Sequence, residues 1–217
     1  MSNQELQVVA DYRTAWFEEI IDQLKMREIY EYVLLEGNEF ENKYHNPQHC
    51  VRTATRCVEL LIAEGWRLQR DLAMLVCAAL FHDFGHTGKR PDRTNIKIAI
   101  AQLYIAPCVR VYFTDAAVMQ IAKIIECTEY PFVMEPVGIL QEIMRDADLM
   151  ESIEPFHLQT LAHDLREELK PIMDMTAPEF AKAQVDFLNS QKLYTGAAQR
   201  IWAKTLEARM ASFATVV

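Results

Sequence analysis

The feature of the sequence that most constrains the fold is an unbroken apolar run from Leu72 to Phe81. The run is rich in Leu, Ala and Met, and it shows neither the alternation of a half-buried strand nor an enrichment in β-branched residues. It therefore predicts a helix that is buried on every side. Three potential metal ligands, His82, Asp83 and His86, follow within five residues. We expect the buried helix to present these side chains from a rigid support.

Burial is costly for this group of side chains, because a desolvated carboxylate needs a cation or several hydrogen-bond donors. A divalent metal ion meets that need with a single partner. His82 and His86 are four residues apart, which predicts that they share a helix face. Asp83 can bind the same ion or bridge to a second one. The alternative interpretation is a hydrogen-bonded core histidine, with Asp83 as the N-cap of the next element.

A second pair of histidines, His45 and His49, precedes the apolar run. Pro47 stands where a helix can begin, and the residues after it are apolar at helical spacing. A helix that starts there places His49 in its first turn and His45 at or just before its start. We expect both to face one site, His49 as a metal ligand and His45 nearer to solvent.

A third group of polar residues lies in the predicted helix of residues 137–150, where Asp146 and Asp148 adjoin the apolar face. An unpaired carboxylate in that position would be expensive. Asp148 is therefore the candidate for the ligand that closes the metal site. Asp146 fits better as a surface acid or as a partner of Arg145.

The rest of the pattern predicts one all-α domain. Helical spacing recurs from residue 6 to residue 36 and in five later segments. Val109–Phe113 is the only strand-like run, and it is too short and isolated to imply a sheet. No repeat or low-complexity linker divides the chain, so we expect a single domain over residues 1–217, with packing helices in 1–40 and the functional core in 41–217. The five later helices are predicted at about 115–127, 137–150, 156–170, 178–192 and 196–212.

Charge and composition limit the range of partners. The net charge is −9 and the sequence has no basic run, which argues against a polymeric nucleic-acid partner. Five cysteines without a C-x-x-C pair indicate buried thiols in a reducing compartment. No apolar stretch has the length of a membrane helix. We expect a cytoplasmic protein that acts on a small molecule and has no membrane partner.

Taken in order, His49, the adjacent pair His82-Asp83 and the distant Asp148 resemble the ligand set of the HD-domain metal-dependent phosphohydrolases. The resemblance extends from about residue 44 to the last helices. It implies a helical bundle with a metal site in its core, in which these four side chains hold one or two divalent ions. Mixed nitrogen and oxygen ligation is compatible with Mn, Fe, Co, Ni, Zn or a pair that contains Mg.

Within that superfamily, two motifs are similar to those of class I cyclic-nucleotide phosphodiesterase catalytic domains: Tyr44-His45-Asn46-x-x-His49 and His82-Asp83-x-x-His86-x-Gly88. The likeness implies that His45 is the general acid and that His86 lies beside a second metal ion and its waters. Asp83 would bridge the two ions that share the attacking hydroxide. The expected reaction is hydrolysis of a phosphoester bond of a small nucleotide-like substrate by metal-activated water.

A third likeness concerns the substrate pocket. The segment Ala183-Gln184-Val185-Asp186-Phe187 resembles the stretch that carries the purine-binding glutamine and the base-stacking phenylalanine of that family. It implies that Gln184 and Phe187 bind the substrate. Asn95, at the end of the polar loop that follows His86, is a further candidate for substrate binding. The chain departs from the family in the longer loop between Gly88 and Asn95 and in Asp186, where a small residue is usual. A cyclic-nucleotide 3′,5′-phosphodiesterase is therefore the narrower alternative.

Three other classes of protein remain as alternatives. An HD-type di-iron oxygenase uses extra histidine ligands, but the sequence has no histidine between His86 and Asp148. A ferritin-like di-iron bundle needs two Glu-x-x-His motifs, and Glu154–His157 supplies only one. A nucleotide-binding regulatory module on a degenerate scaffold is expected to lack a ligand, whereas every ligand and the proposed acid are present.

Overall fold

The computed structural model describes residues 3–37, 40–89, 91–150 and 161–205. Every regular element in these ranges is helical, which confirms the prediction of an all-α fold. A π-helical turn, Leu161–Leu165, leads directly into the short helix α9. The α-helices are α1 (Asn3–Gln23), α2 (Arg27–Glu36), α3 (Pro47–Ala63), α4 (Gln69–Phe81), α5 (Asp92–Ile105), α6 (Pro107–Tyr112), α7 (Asp115–Glu126), α8 (Ile139–Met150), α9 (Arg166–Leu169), α10 (Ala177–Ser190) and α11 (196–205).

Helix α4 lies at the centre of the bundle. Each residue from Ala73 to Phe81 is at most 4% exposed. Helices α3, α7 and α8 pack against it, and α1 and α2 contribute to the same core through Phe17, Ile21 and Val33. The apolar run thus forms the buried helix that the sequence predicts, because no face of it is left for water.

The later helices follow the prediction closely, with two exceptions. Helices α7, α8 and α10 begin and end within two residues of the predicted bounds. The predicted helix at 156–170 is represented by the π-helical turn and α9, and its first residues, like the end of the predicted helix at 196–212, lie outside the described ranges.

The strand-like run Val109–Phe113, which is too short and isolated to imply a sheet, forms a helix instead of a strand. Pro107 starts a helix there, and α6 extends to Tyr112. Val109 is fully buried whereas Val111 is 85% exposed, so only one of the two valines packs in the core. A strand also needs a partner strand, and the described part of the chain contains none.

All five cysteines are free thiols; four are buried and Cys108 is half-buried. In the described ranges, no helix combines the length and the apolar character that crossing a membrane requires.

Asp146 is a buried anchor, which corrects the prediction of a surface acid or a partner of Arg145. Its side chain is fully buried. Its carboxylate accepts hydrogen bonds from the backbone N–H of Tyr194 (2.9 Å) and from the backbone N–H and hydroxyl of Thr195 (both 2.8 Å). Thr195 immediately precedes α11, so Asp146 attaches the start of that helix to α8.

We expect Asp146→Ala to destabilise the fold without removing a metal ligand. The substitution leaves three buried or half-buried donors of Tyr194 and Thr195 without their acceptor, which costs about 3 kcal/mol. For a chain of this size that loss corresponds to a fall in Tm of about 6–12 °C. Thermal unfolding followed by circular dichroism measures it, with the exposed Asp186→Ala as control; equal Tm values for the two variants would contradict the anchoring role.

Candidate metal centre and adjoining cavity

Four side chains that the sequence singles out converge at the end of α4. His49 comes from the first turn of α3, His82 and Asp83 follow α4, and Asp148 comes from α8. His49 Nε2 lies 3.1 Å from His82 Nε2, 3.2 Å from Asp83 Oδ2 and 3.3 Å from Asp148 Oδ1. His82 Nε2 lies 3.4 Å from each of the same two carboxylate oxygens.

These separations suit the ligands of a single divalent cation. Ligand atoms bound at about 2.1 Å lie about 3.0 Å apart along an octahedral edge and about 3.4 Å apart along a tetrahedral one. The observed separations of 3.1–3.4 Å fall within that interval. His49, His82 and Asp83 also form one of the groups whose donor atoms all lie close enough together to hold an ion.

The start of α3 fixes the position of His49. Asn46 is the N-cap, and its side-chain oxygen accepts a hydrogen bond from the backbone N–H of His49 (3.1 Å). Pro47 occupies the first helical position, as the sequence predicts. His49 therefore lies in a turn whose geometry is held at both the cap and the proline.

The tautomer of His82 follows from one contact. His82 Nδ1 lies 2.8 Å from the carbonyl oxygen of Ala79, and a carbonyl can only accept. Nδ1 therefore donates, and the lone pair of Nε2 points to His49 and the carboxylates when the ring is neutral. A metal-binding imidazole is commonly held by such a backbone bond on its other nitrogen.

Burial and charge oppose each other in this cluster. Burial disfavours the charged form of His82, but Asp83, Cys50 and Asp148 together outweigh it and raise the pKa of His82 well above its ordinary value. Burial likewise works against the charge of Asp83, but His82 and His45 outweigh it and hold the pKa of Asp83 well below the usual range. The protein thus places two ionised carboxylates against two histidines, and a divalent cation can take the place of the proton that they share.

A second cluster adjoins the first and consists of His45, His86 and Glu168. Glu168 Oε1 lies 2.5 Å from His45 Nδ1, and its Oε2 accepts hydrogen bonds from the backbone N–H groups of Tyr44 (2.9 Å) and His45 (3.1 Å). The His45 ring stacks on His86 with 4.0 Å between ring centroids. Because Glu168 engages Nδ1, Nε2 is the nitrogen of His45 that remains for a substrate.

Glu168 also sets the charge of His45. Burial lowers the pKa of His45, but the carboxylates of Asp83 and Glu168 outweigh it, so that the pKa lies above its ordinary value. Burial raises the pKa of Glu168, but the bonds from His45 and the two backbone N–H groups outweigh it and lower that pKa. Glu168 and Asp83 therefore favour the protonated form of His45. His45 is half-buried, with 21% of its side chain exposed.

The position of His86 differs from the prediction that it shares a helix face with His82. Helix α4 ends at Phe81, and Gly85 has a φ of 67°, a value that breaks the helical path between the two histidines. His86 turns instead towards His45, and its Nδ1 accepts a hydrogen bond from the backbone N–H of Gly88 (3.1 Å). The two histidines therefore belong to different clusters.

Both clusters open into one cavity of about 330 Å³. Its polar lining includes His45, His49, Asp83, His86 and Asp148. The three residues predicted to bind substrate, Asn95, Gln184 and Phe187, line it as well. The apolar part of the lining comes chiefly from Tyr130, Phe132, Leu149, Leu165, Leu169, Met173, Phe187 and Leu188.

The three predicted substrate residues differ in how they are held. Asn95 is 1% exposed, its side-chain oxygen accepts from Thr87, and its amide donates to the carbonyl of Lys89. Asn95 thus also braces the loop that follows His86. Phe187 is half-buried on α10, with its ring 5.4 Å from that of Tyr130 in an edge-to-face arrangement.

No protein-family model matches the chain, and no curated protein matches it. Among solved structures, it is similar to the phosphodiesterase domain of the RhoPDE fusion protein from the choanoflagellate Salpingoeca rosetta, with a TM-score of 0.59 and 17% sequence identity. The match covers 100% of this chain and 87% of that one. The chain has a phosphodiesterase-like fold. At this identity the likeness concerns the fold alone.

Proposed function

We propose that this protein is an HD-type metal-dependent phosphohydrolase that cleaves a phosphoester bond of a small nucleotide-like substrate. The observation that carries the proposal is the placement of two clusters on one cavity. One cluster has the donor set of a divalent metal site, formed by His49, His82, Asp83 and Asp148. The other pairs His45 with Glu168, which favours the protonated form of the imidazole.

The four proposed metal ligands have the donor atoms and the exposure that a catalytic metal site needs. His49, His82, Asp83 and Asp148 would hold one or two divalent ions, which lower the pKa of a bound water towards neutrality and offset charge on the phosphoryl oxygens. The histidines are 1% exposed, whereas 11% of the Asp83 side chain and 26% of the Asp148 side chain remain exposed. The cluster is therefore closed on its histidine side and accessible on its carboxylate side, as a catalytic site requires.

His45 is the proposed general acid. Its ring lines the cavity beside Asp83, and Glu168 fixes its Nδ1, so that Nε2 carries the proton that the leaving oxygen needs. Glu168 orients the ring and favours its protonated form. His86 stacks on the ring of His45 and limits the space in which that ring can rotate.

The narrower candidate is a cyclic-nucleotide 3′,5′-phosphodiesterase. Gln184 and Phe187 lie three residues apart on α10 and both line the cavity. An amide and an aromatic ring on one helix face can hydrogen-bond to a base and stack on it. A nucleotide-binding module without catalysis is disfavoured, because all four donor side chains and the proposed acid are in place.

A metal-supplemented hydrolysis screen tests the proposal. Purified protein is assayed with Mn, Co, Ni, Zn and Mg against cyclic nucleotides, nucleoside mono- and triphosphates and bis-p-nitrophenyl phosphate, with a chelated sample as control. We expect metal-dependent release of product from at least one of these phosphoesters. No turnover by metal-loaded protein would overturn the proposal in favour of a binding module.

Gln184→Ala separates the broad proposal from the narrow one. If a cyclic nucleotide is the substrate, loss of the amide should raise KM about tenfold and leave hydrolysis of bis-p-nitrophenyl phosphate unchanged, because that ester has no purine edge. The exposed Gln199→Ala serves as the matched control. Equal KM values for wild type and Gln184→Ala would remove Gln184 from the pocket.

A further inference from the structure

A buried arginine outside the two clusters has no role in the chemistry described so far. Arg145 lies on α8, one turn before Asp148, and is only 2% exposed. Among the described residues its guanidinium pairs with no carboxylate. The nearby acid Glu135 instead contacts Lys192 (3.3 Å) and the hydroxyl of Tyr194 (2.8 Å). A buried cation without an anionic partner is expensive, so its retention needs an explanation.

In the described part of the chain, the hydrogen bonds and the cation–π contact of the Arg145 side chain go to one segment, residues 127–134. Its Nε donates to the carbonyl of Cys127 at 2.8 Å, and a terminal nitrogen donates to the carbonyl of Met134, also at 2.8 Å. Its guanidinium carbon lies 4.0 Å from the centroid of the Phe132 ring, within the range of a cation–π contact. One side chain thus holds both ends of the segment and its aromatic centre.

That segment forms part of the cavity wall. Alternate residues, Thr128, Tyr130 and Phe132, line the cavity, and the two aromatic rings lie 5.5 Å apart, edge to face. We refer to Tyr130 and Phe132 as the aromatic wall. Phe187 meets the wall from α10 through its edge-to-face contact with Tyr130. The cavity therefore has aromatic groups from two separate elements.

We propose that the aromatic wall binds a planar ring of the substrate and that Arg145 is the positioning residue that sets the wall relative to the metal centre. The proposal rests on the proposed function and extends it to substrate recognition. Arg145 and Asp148 both lie on α8, so the same helix positions the wall, through Arg145, and carries a proposed metal ligand. A lysine at this position keeps the charge but has no planar fork to hold both carbonyls and stack on Phe132.

Two variants test the proposal on the full-length, metal-loaded protein. Arg145→Lys removes the fork. Phe132→Leu removes one of the two rings of the wall and leaves Arg145 its two carbonyl acceptors, so the second variant remains informative if the first fails to fold. Arg110→Lys, at an arginine that is 49% exposed in its side chain, is the matched control. Metal content and Tm are recorded for every variant.

The first measurement is calorimetric binding of adenosine and guanosine, which carry a planar ring and no phosphate. We expect Arg145→Lys and Phe132→Leu to weaken nucleoside binding about tenfold, with unchanged metal content. In turnover assays, KM should rise about tenfold for a nucleotide and stay constant for a base-free cyclic ribose phosphate, with kcat within about threefold in both cases. A loss that is equal for the two substrates would show a general structural defect and overturn the positioning role.

The same measurements separate this proposal from the proposed function. Nucleoside binding that depends on Arg145 and Phe132, in a protein that hydrolyses no phosphoester, would support the aromatic wall and overturn the enzymatic proposal. Metal-dependent hydrolysis in a protein that binds no nucleoside at millimolar concentration would support the enzymatic proposal and overturn the aromatic wall. Wild-type affinity in both variants would overturn the wall and its positioning residue together.

Discussion

Asp83→Ala is expected to abolish metal binding and phosphoester hydrolysis together. The Asp83 carboxylate lies 3.2 Å from His49 Nε2 and 3.4 Å from His82 Nε2, and it lines the cavity. Its removal leaves the histidines without the anion that favours a cation between them. Loss of the metal withdraws several kcal/mol of transition-state stabilisation, so kcat/KM should fall by about 10³-fold or more.

The measurement pairs metal analysis with kinetics. Metal content is determined by plasma mass spectrometry after equilibration with the most active ion of the screen, and kcat/KM is measured on the same sample. Asp22→Ala is the matched control, because Asp22 is an exposed acid paired with Arg27 and does not line the cavity. Full metal content with full activity in Asp83→Ala would contradict both the metal site and the proposed function.

The sequence predicted the site best where residues nearby in the chain determine the local structure around a proposed ligand. Leu72–Phe81 could be recognised as a buried helix because its apolar character has no period. His49 could be placed in a first turn because Pro47 marks the helix start. These positions depend only on residues nearby in the chain, and the structure brings the four proposed ligands together accordingly.

The sequence was misleading where the end of a helix or the packing of a distant helix decides which way a side chain points. His82 and His86 have helical spacing, yet the helix ends at Phe81 and Gly85 turns the chain, so His86 joins His45. Asp146 and Asp148 are two residues apart on α8 and therefore point in different directions. Which of them would meet α11 was decided by tertiary packing, since α11 begins almost fifty residues later.

Glu168 was missed because nothing near it signals its role. It lies in a charged stretch, Arg166-Glu167-Glu168, which resembles a solvent-exposed helix face. Its partner His45 is 123 residues earlier in the chain. A search for a carboxylate to orient the proposed acid would have defined the type of residue required, but many acids in the sequence satisfy that requirement. Only the packing of the segment after the π-helical turn against Tyr44 and His45 selects Glu168.

His45→Ala is expected to retain the metal and lose rate. His45 does not contribute a donor atom to the cluster of His49, His82 and Asp83, so metal content should equal that of wild type. Loss of a general acid typically costs 10²–10⁴-fold in kcat. The exposed His163→Ala is the matched control, because His163 is 68% exposed in its side chain and does not line the cavity. Loss of metal in His45→Ala would contradict the separation of the two clusters.

Glu168→Gln is expected to move the alkaline limb of the pH profile of kcat/KM to lower pH, which tests the assignment of His45 as the general acid. A general acid must be protonated, so kcat/KM falls as the pH rises through its pKa. In the wild type, burial lowers the pKa of His45 but Asp83 and Glu168 outweigh it, so the alkaline limb lies above the ordinary pKa of histidine. The neutral glutamine removes one of the two carboxylates, so the pKa of His45 falls and the limb moves to lower pH. A profile in which the limb stays in place or moves to higher pH would show that His45 is not the group that donates the proton.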